Sequence, residues 1–214
     1  MATTYIHRTN GSLGDRAKWT VSMWIKGGAT SSNQMLFSTW NGTTSFRTYA
    51  ELSSSGIINF GSVDTGNTNG SLATTRVFRD PSAWYHLVFV WDNANAVSAD
   101  KMIIYVNGVR ETAVTYVAPT TSSQWNKAMS IEIGSRHGGD RYFSGEMSHV
   151  QNCDGYAYSA SDFGETDATT GMWKIKTSPS VTYGTNGFFL KMEDSSNLDL
   201  DSSPNAHTFT TVGT

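Results

Sequence analysis

The chain has 214 residues, only 15% of them charged, with 15 Lys and Arg against 18 Asp and Glu and a formal net charge of -3. Nucleic-acid binding needs clustered cations that displace counterions, so this balance argues against it. No apolar run approaches the ~20 residues needed to span a bilayer, so no membrane insertion is expected. Met1 to Asn10 has no apolar stretch readable as a secretory signal, and Cys153 is the only cysteine. The expectation is a chain that folds without disulfides in a reducing cytoplasm.

Good helix formers are sparse, while Ser, Thr, Gly, Asn and aromatic residues abound, which favours many short strands. Lys18 to Lys26 alternates, with Trp19, Val21, Met23 and Ile25 on one face and Thr20, Ser22, Trp24 and Lys26 on the other. That period of two predicts a half-buried strand. Gln34 to Trp40 and Thr44 to Leu52 are the next two, joined at Asn41-Gly42, and Gly56 to Val63 is a fourth. Asp64 to Ser71 is polar and turn-rich and is expected to be a loop before a strand over Leu72 to Phe78. Trp84 to Asp92 is apolar on both faces, as a central strand covered on both sides would be. Lys101 to Val106 and Val109 to Tyr116 flank Asn107-Gly108, a hairpin turn pair. Ser130 to Gly134 and Tyr142 to Asn152 are strands separated by the Gly-rich loop Ser135 to Arg141. Gly187 to Met192 and His207 to Val212 are the last strands, and Ser161 to Glu165 is a single helical turn capped by its serine. Roughly a dozen strands without intervening helices predict an all-β fold of two packed antiparallel sheets, a β-sandwich or jelly roll.

Three stretches carry a family resemblance: Trp84-Tyr85-His86-Leu87-Val88-Phe89-Val90-Trp91-Asp92; Ile103-Ile104-Tyr105-Val106-Asn107-Gly108-Val109; and Ile131-Glu132-Ile133-Gly134 followed by Tyr142-Phe143-Ser144-Gly145-Glu146-Met147. In order and spacing they resemble the laminin-G-like branch of the concanavalin A-like lectin/glucanase superfamily. The sequence departs from that pattern at Ser148-His149-Val150, where the family usually carries acidic residues, so no role of such an acid is carried over. The flanks, Asp15-Arg16-Ala17-Lys18-Trp19-Thr20, Gly171-Met172-Trp173-Lys174 and Tyr183-Gly184-Thr185-Asn186-Gly187-Phe188, are similar to laminin-G-like proteins of marine tailed bacteriophages. The resemblance implies a concanavalin A-like jelly roll filling residues 1–214 as one domain, with residues 160–214 as a candidate peripheral extension. It also implies a non-enzymatic protein of the virion surface, in capsid decoration or a head- or tail-attached fibre. Such a protein would assemble in the host cytoplasm, pair with capsid or tail proteins and form a homo-oligomer, a trimer for example. The competing readings are a lectin-like adhesin for cell-surface glycans and a polysaccharide-degrading glycoside hydrolase on the same fold.

The residues weigh against the hydrolase. Glucanases on this fold place two glutamates and an aspartate on one strand, whereas Glu132 and Glu146 stand alone, so no catalytic residue is assigned. His7, His86, His137, His149 and His207 are scattered, and no metal-ligand set is assigned. No cofactor is expected. Calcium is the one ion the acidic stretch Glu193-Asp194 through Asp199 and Asp201 could take, against the alternative that these acids cap turns. A sugar site needs aromatic faces beside planar polar groups. His137, Asp140, Arg141 and Tyr142 on one loop, with Trp40 at a turn, are the candidate glycan-binding residues; the alternative is that Trp40 and Tyr142 close the edge of the core or anchor a subunit contact.

Overall fold

The computed structural model describes residues 3–28, 30–43, 45–136 and 139–213. Among the described residues there are sixteen strands: β1 Tyr5–Thr9, β2 Lys18–Lys26, β3 Gln34–Trp40, β4 Arg47–Leu52, β5 Ile58–Asp64, β6 Asn67–Thr74, β7 Trp84–Asp92, β8 Met102–Val106, β9 Val109–Arg110, β10 Val114–Val117, β11 Ser130–Ile133, β12 Glu146–Asp154, β13 Gly164–Thr166, β14 Trp173–Ile175, β15 Phe188–Leu190 and β16 Thr210–Val212. An eight-stranded sheet has the order β10-β6-β5-β4-β3-β11-β1-β16, a six-stranded sheet the order β15-β12-β2-β7-β8-β9, and β13-β14 is a separate hairpin. This is the expected antiparallel sandwich.

The sheets close on an aromatic core. Trp19 pairs across strands with Trp91, their rings parallel within 3° at 6.1 Å. From the eight-stranded sheet Phe37 and Phe60 meet Phe89 edge-on at 5.2 and 5.4 Å, and Trp125 packs on Phe37 at 4.9 Å. All six rings are at most 1% exposed. Removing this surface from water at ~25 cal/mol per Å² is the main force holding the layers together.

β2, β3 and β7 have the bounds expected from the sequence, because core burial on at least one face leaves no freedom of register. Elsewhere the structure corrects the reading. Asn67 to Ser71 is strand, not loop; only Thr65 and Gly66 turn, both with positive φ. Val109 to Tyr116 is not one hairpin arm: β9 stops at Arg110, and β10 crosses to pair with β6 in the other sheet. β1 and the β13-β14 hairpin are strands the sequence reading did not assign. The short helical turn is a 3-10 turn over Ala160–Asp162, and Ser159, not Ser161, precedes it; the Asp162 carboxylate accepts the Ser159 backbone N–H at 2.7 Å.

The outer face of the six-stranded sheet is partly roofed. Val88, Val90 and Cys153 bury against Ala160, Phe163, Tyr183 and Phe189, which is why β7 reads as apolar on both sides. Residues after 162 also supply an edge strand to each sheet, β15 beside β12 and β16 beside β1. The part of this outer face left unroofed lies beside β14.

Candidate functional site

On the outer face of the eight-stranded sheet, Trp40 ends β3 and Arg141 lies across from Glu51 of β4. Both line a cavity of about 250 Å³ with Met35, Arg47, Tyr49, Glu51 and Arg136. The Arg136 guanidinium sits over the Trp40 ring at 4.6 Å, a cation–π contact that covers the face a sugar would stack on. Asp140 engages Arg136, with Nε to Oδ1 at 2.7 Å and a second contact from Nη2 to Oδ2. Arg141 Nη1 donates to Glu51 Oε2 at 2.8 Å, while Asn33 and Asn59 donate to Oε1 of the same carboxylate. Tyr142 packs its ring beside Tyr5 at 6.1 Å and does not line the cavity. His137 lies outside the described residues. The structure therefore gathers Trp40 and Arg141, attaches Asp140 through Arg136, and separates Tyr142, in a site whose charges already answer one another.

Three acids of the C-terminal stretch, Asp194, Asp199 and Asp201, accept local or cross-strand hydrogen bonds. Asp194 Oδ1 accepts from the Ser196 N–H and hydroxyl, Asp199 Oδ2 from the Thr211 N–H and hydroxyl, and Asp201 from the N–H groups of Phe189, Ser203 and His207. Among the described residues no three His, Cys, Asp or Glu side chains come together in a metal-like group. Glu132 and Glu146 stand in different sheets; the first accepts from Ser135 Oγ at 2.7 Å and the second from Lys26 Nζ at 3.1 Å.

The more open aromatic site lies on the six-stranded sheet. Trp24 of β2, Trp84 of β7, Ser148 and His149 of β12, and Trp173, Lys174 and Ile175 of β14 line a trough of about 410 Å³. Register explains the gathering: Trp24 is level with His86 on β7 and with Ser148 on β12, and Trp84 stands two residues before His86 on the same strand. A bulge in β12 between Ser148 and Gln151 lets two consecutive residues, Ser148 and His149, line the same trough.

His86 holds two of the three tryptophans. Its ring lies against Trp24 at 5.0 Å and 18°, and its Nδ1 accepts the Trp173 indole N–H at 2.9 Å. Nδ1 is therefore bare, and Nε2–H donates to Ser22 Oγ at 2.9 Å, a tautomer fixed by its partners. Burial pushes the imidazole down to about 3, so it stays neutral across the physiological range. The Trp173 ring fits only because nothing projects beneath it: a Cβ at Gly108 or Gly164 would meet it at 2.6 Å. Lys174 beside it is held by Asp167 at 3.1 Å and Glu165 at 3.4 Å.

Sequence reasoning missed this trough. One signal was available: Trp24 is a large aromatic on the polar face of a strand whose other face already supplies core residues. Trp84, His149 and Trp173 join it only through tertiary pairing.

Two face-packed antiparallel sheets with aromatic and polar groups on an outer face define a lectin-like sandwich. The Laminin_G_3 profile, described as the concanavalin A-like lectin/glucanases superfamily, matches residues 1–162, and the chain belongs to this family. No curated protein sequence matches the chain. Among solved structures, a Bacteroides ovatus ATCC 8483 protein described as carbohydrate-binding is similar at 16% identity and TM-score 0.58, over 98% of this chain and 57% of that one. The heptameric SAP-like pentraxin of Limulus polyphemus is similar at 17% identity and TM-score 0.52, over 88% of each chain. The CBM40 of the Ruminococcus gnavus IT-sialidase, bound to α2,3-sialyllactose, is similar at 16% identity and TM-score 0.51, over 69% of this chain and 78% of that one. At these identities the likeness is one of fold. Among the described residues no helix is long and apolar enough to cross a membrane.

Proposed function

We propose that this protein is a non-enzymatic glycan-binding protein of a phage virion surface, in capsid decoration or a head- or tail-attached fibre, that holds sugars in the tryptophan trough. The observation that carries the binding role is the gathering of Trp24, Trp84 and Trp173 around about 410 Å³ of open space. That size falls within the range of small-ligand pockets, and indole faces offer rigid apolar surface to the C–H face of a sugar ring. Trp84 is 40% exposed on a strand buried from His86 to Asp92, which the packing of the fold does not require. Carbohydrate recognition by structural relatives of the same fold is consistent with this role. Binding rather than hydrolysis is supported by the carboxylates around the trough: Glu165 and Asp167 hold Lys174 and Glu146 holds Lys26, which leaves Glu193 beside His149 rather than a pair of free acids. The virion setting is supported by the resemblance of the flanking motifs to tailed-phage proteins. The heptameric pentraxin is a precedent for a homo-oligomer, which would multiply weak single-site affinities.

The test is a glycan array followed by calorimetry on the purified chain. Trp84→Ala should keep the fold and weaken binding at least tenfold, because a central aromatic anchor contributes about 1–2 kcal/mol or more. Trp40→Ala, on the other sheet, should leave binding intact. Unchanged affinity in both Trp84→Ala and Trp24→Ala would place the ligand elsewhere, and release of reducing sugar would make the protein an enzyme. Mass spectrometry of gradient-purified particles tests the virion setting, and light scattering tests for a multiple of 23.3 kDa.

A further inference from the structure

Resting on that reading, we infer that His149 and Glu193 form the polar end of the trough and select uncharged sugars through a neighbouring pair of ligand hydroxyls, against acidic ones. His149 lines the trough yet is only 7% exposed, and it occupies positive φ (49°) at the bulge of β12. A non-glycine residue held there is strained, and such strain gathers at ligand sites. The imidazole is oriented on one side only. His149 Nδ1 lies 2.7 Å from Ser148 Oγ, and Ser148 Oγ lies 3.2 Å from the Lys191 carbonyl oxygen. That carbonyl can only accept, and the hydroxyl has one hydrogen. Both contacts are satisfied together when Nδ1–H donates to Oγ and Oγ–H donates to Lys191. Nε2 is then a bare acceptor.

Among the described residues Nε2 has no hydrogen-bond partner, and it is buried. Glu193 Oε1 stands 3.6 Å away, beyond hydrogen-bond distance. Two acceptors therefore face each other with no donor between them. Such an arrangement is completed by donors, and two hydroxyls on adjacent sugar carbons supply one to Nε2 and one to the carboxylate. A ligand carboxylate or sulfate would bring more acceptors and a like charge against Glu193. Two cations lie near: Lys174 is already shared by Glu165 and Asp167, and Lys191, whose charge His149 also feels, holds its ammonium over the Phe189 ring at 5.7 Å. Burial lowers the pKa of His149, so the neutral ring required here is the stable form near neutrality.

The probe is an array of matched neutral, sialylated, sulfated and uronate-containing glycans, with calorimetry on the strongest binder. Neutral glycans should be bound, and the same glycans carrying an acid should bind at least tenfold more weakly. Glu193→Gln, at a side chain 57% exposed and so safe for folding, should weaken neutral-sugar binding at least tenfold and narrow the penalty on acidic glycans. His149→Asn keeps a residue that tolerates positive φ and should also weaken binding. Hits confined to acidic glycans and lost in Trp84→Ala, or full neutral-sugar binding by Glu193→Gln, would overturn this inference and leave the trough as the site. Binding insensitive to Trp84→Ala, or no binding by the wild type, would overturn both.

Discussion

Lowering the pH should unfold this protein through His86 more than through any surface charge. The ring is fully buried, its Nδ1 is occupied by the Trp173 indole N–H, and its Nε2–H is given to Ser22. Protonating Nδ1 breaks the first bond and leaves a charge with no carboxylate partner. The folded-state value of about 3 lies below the ordinary 6.5, so the unfolded chain takes up the proton first. The contribution is complete above pH 6.5 and is lost as the pH falls toward 3. At about 1.4 kcal/mol per pH unit the loss is about 3 kcal/mol by pH 4 and about 4 kcal/mol at pH 3, a large share of the 5–15 kcal/mol that stabilises a typical domain. Urea unfolding followed by tryptophan fluorescence across this range measures it. His86→Gln is the control, because an amide can accept from Trp173 and donate to Ser22 without titrating. His149 and His207 are shifted in the same direction by burial and remain in both proteins. Wild type should therefore fall more steeply than the variant by up to about 1.4 kcal/mol per pH unit. Parallel pH profiles would refute the reasoning.

Gly164→Ala puts a Cβ at 2.6 Å from the Trp173 ring, which must shift and abandon His86. Leaving that buried acceptor unpaired should cost about 1–3 kcal/mol in urea unfolding and weaken sugar binding; a neutral substitution would show that Trp173 is not seated as described. The Cys153 thiol is fully buried and its pKa is pushed well up by desolvation. It should resist a thiol reagent in the native protein at mildly alkaline pH and react once guanidinium unfolds the chain, and rapid native modification would contradict its packing under Phe163 and Phe189.

Polar sequence hid some of the strands. Asn67 to Ser71 reads as a loop because Asn, Thr and Gly are turn formers. Asn69 is nonetheless buried within β6, where its amide donates to the carbonyls of Thr121 and Ser122 and its oxygen accepts the Thr121 N–H at 2.9 Å. A distant loop thus supplies the partners that let a polar residue sit inside. β10 was misassigned for the complementary reason: Val114 to Val117 follows a hairpin turn but finds its ladder on β6. The β13-β14 hairpin is too short to show a period, and packing on the β7 face holds it in place.

Alternation and turn chemistry alone determined that this chain forms two antiparallel layers, since a period of two commits each strand to one buried face. Asn107-Gly108 turns with φ of 48° and 83°, as that pair predicts. Which aromatic faces stay open and which become neighbours was decided only by the tertiary structure. Arg136 covers Trp40, the aromatic that looked available, while Trp24, Trp84, His149 and Trp173 meet because strand register and one bulge bring them level. Local patterning sets which way a side chain points along its own strand, whereas which side chains become neighbours depends on pairings between segments far apart in the chain.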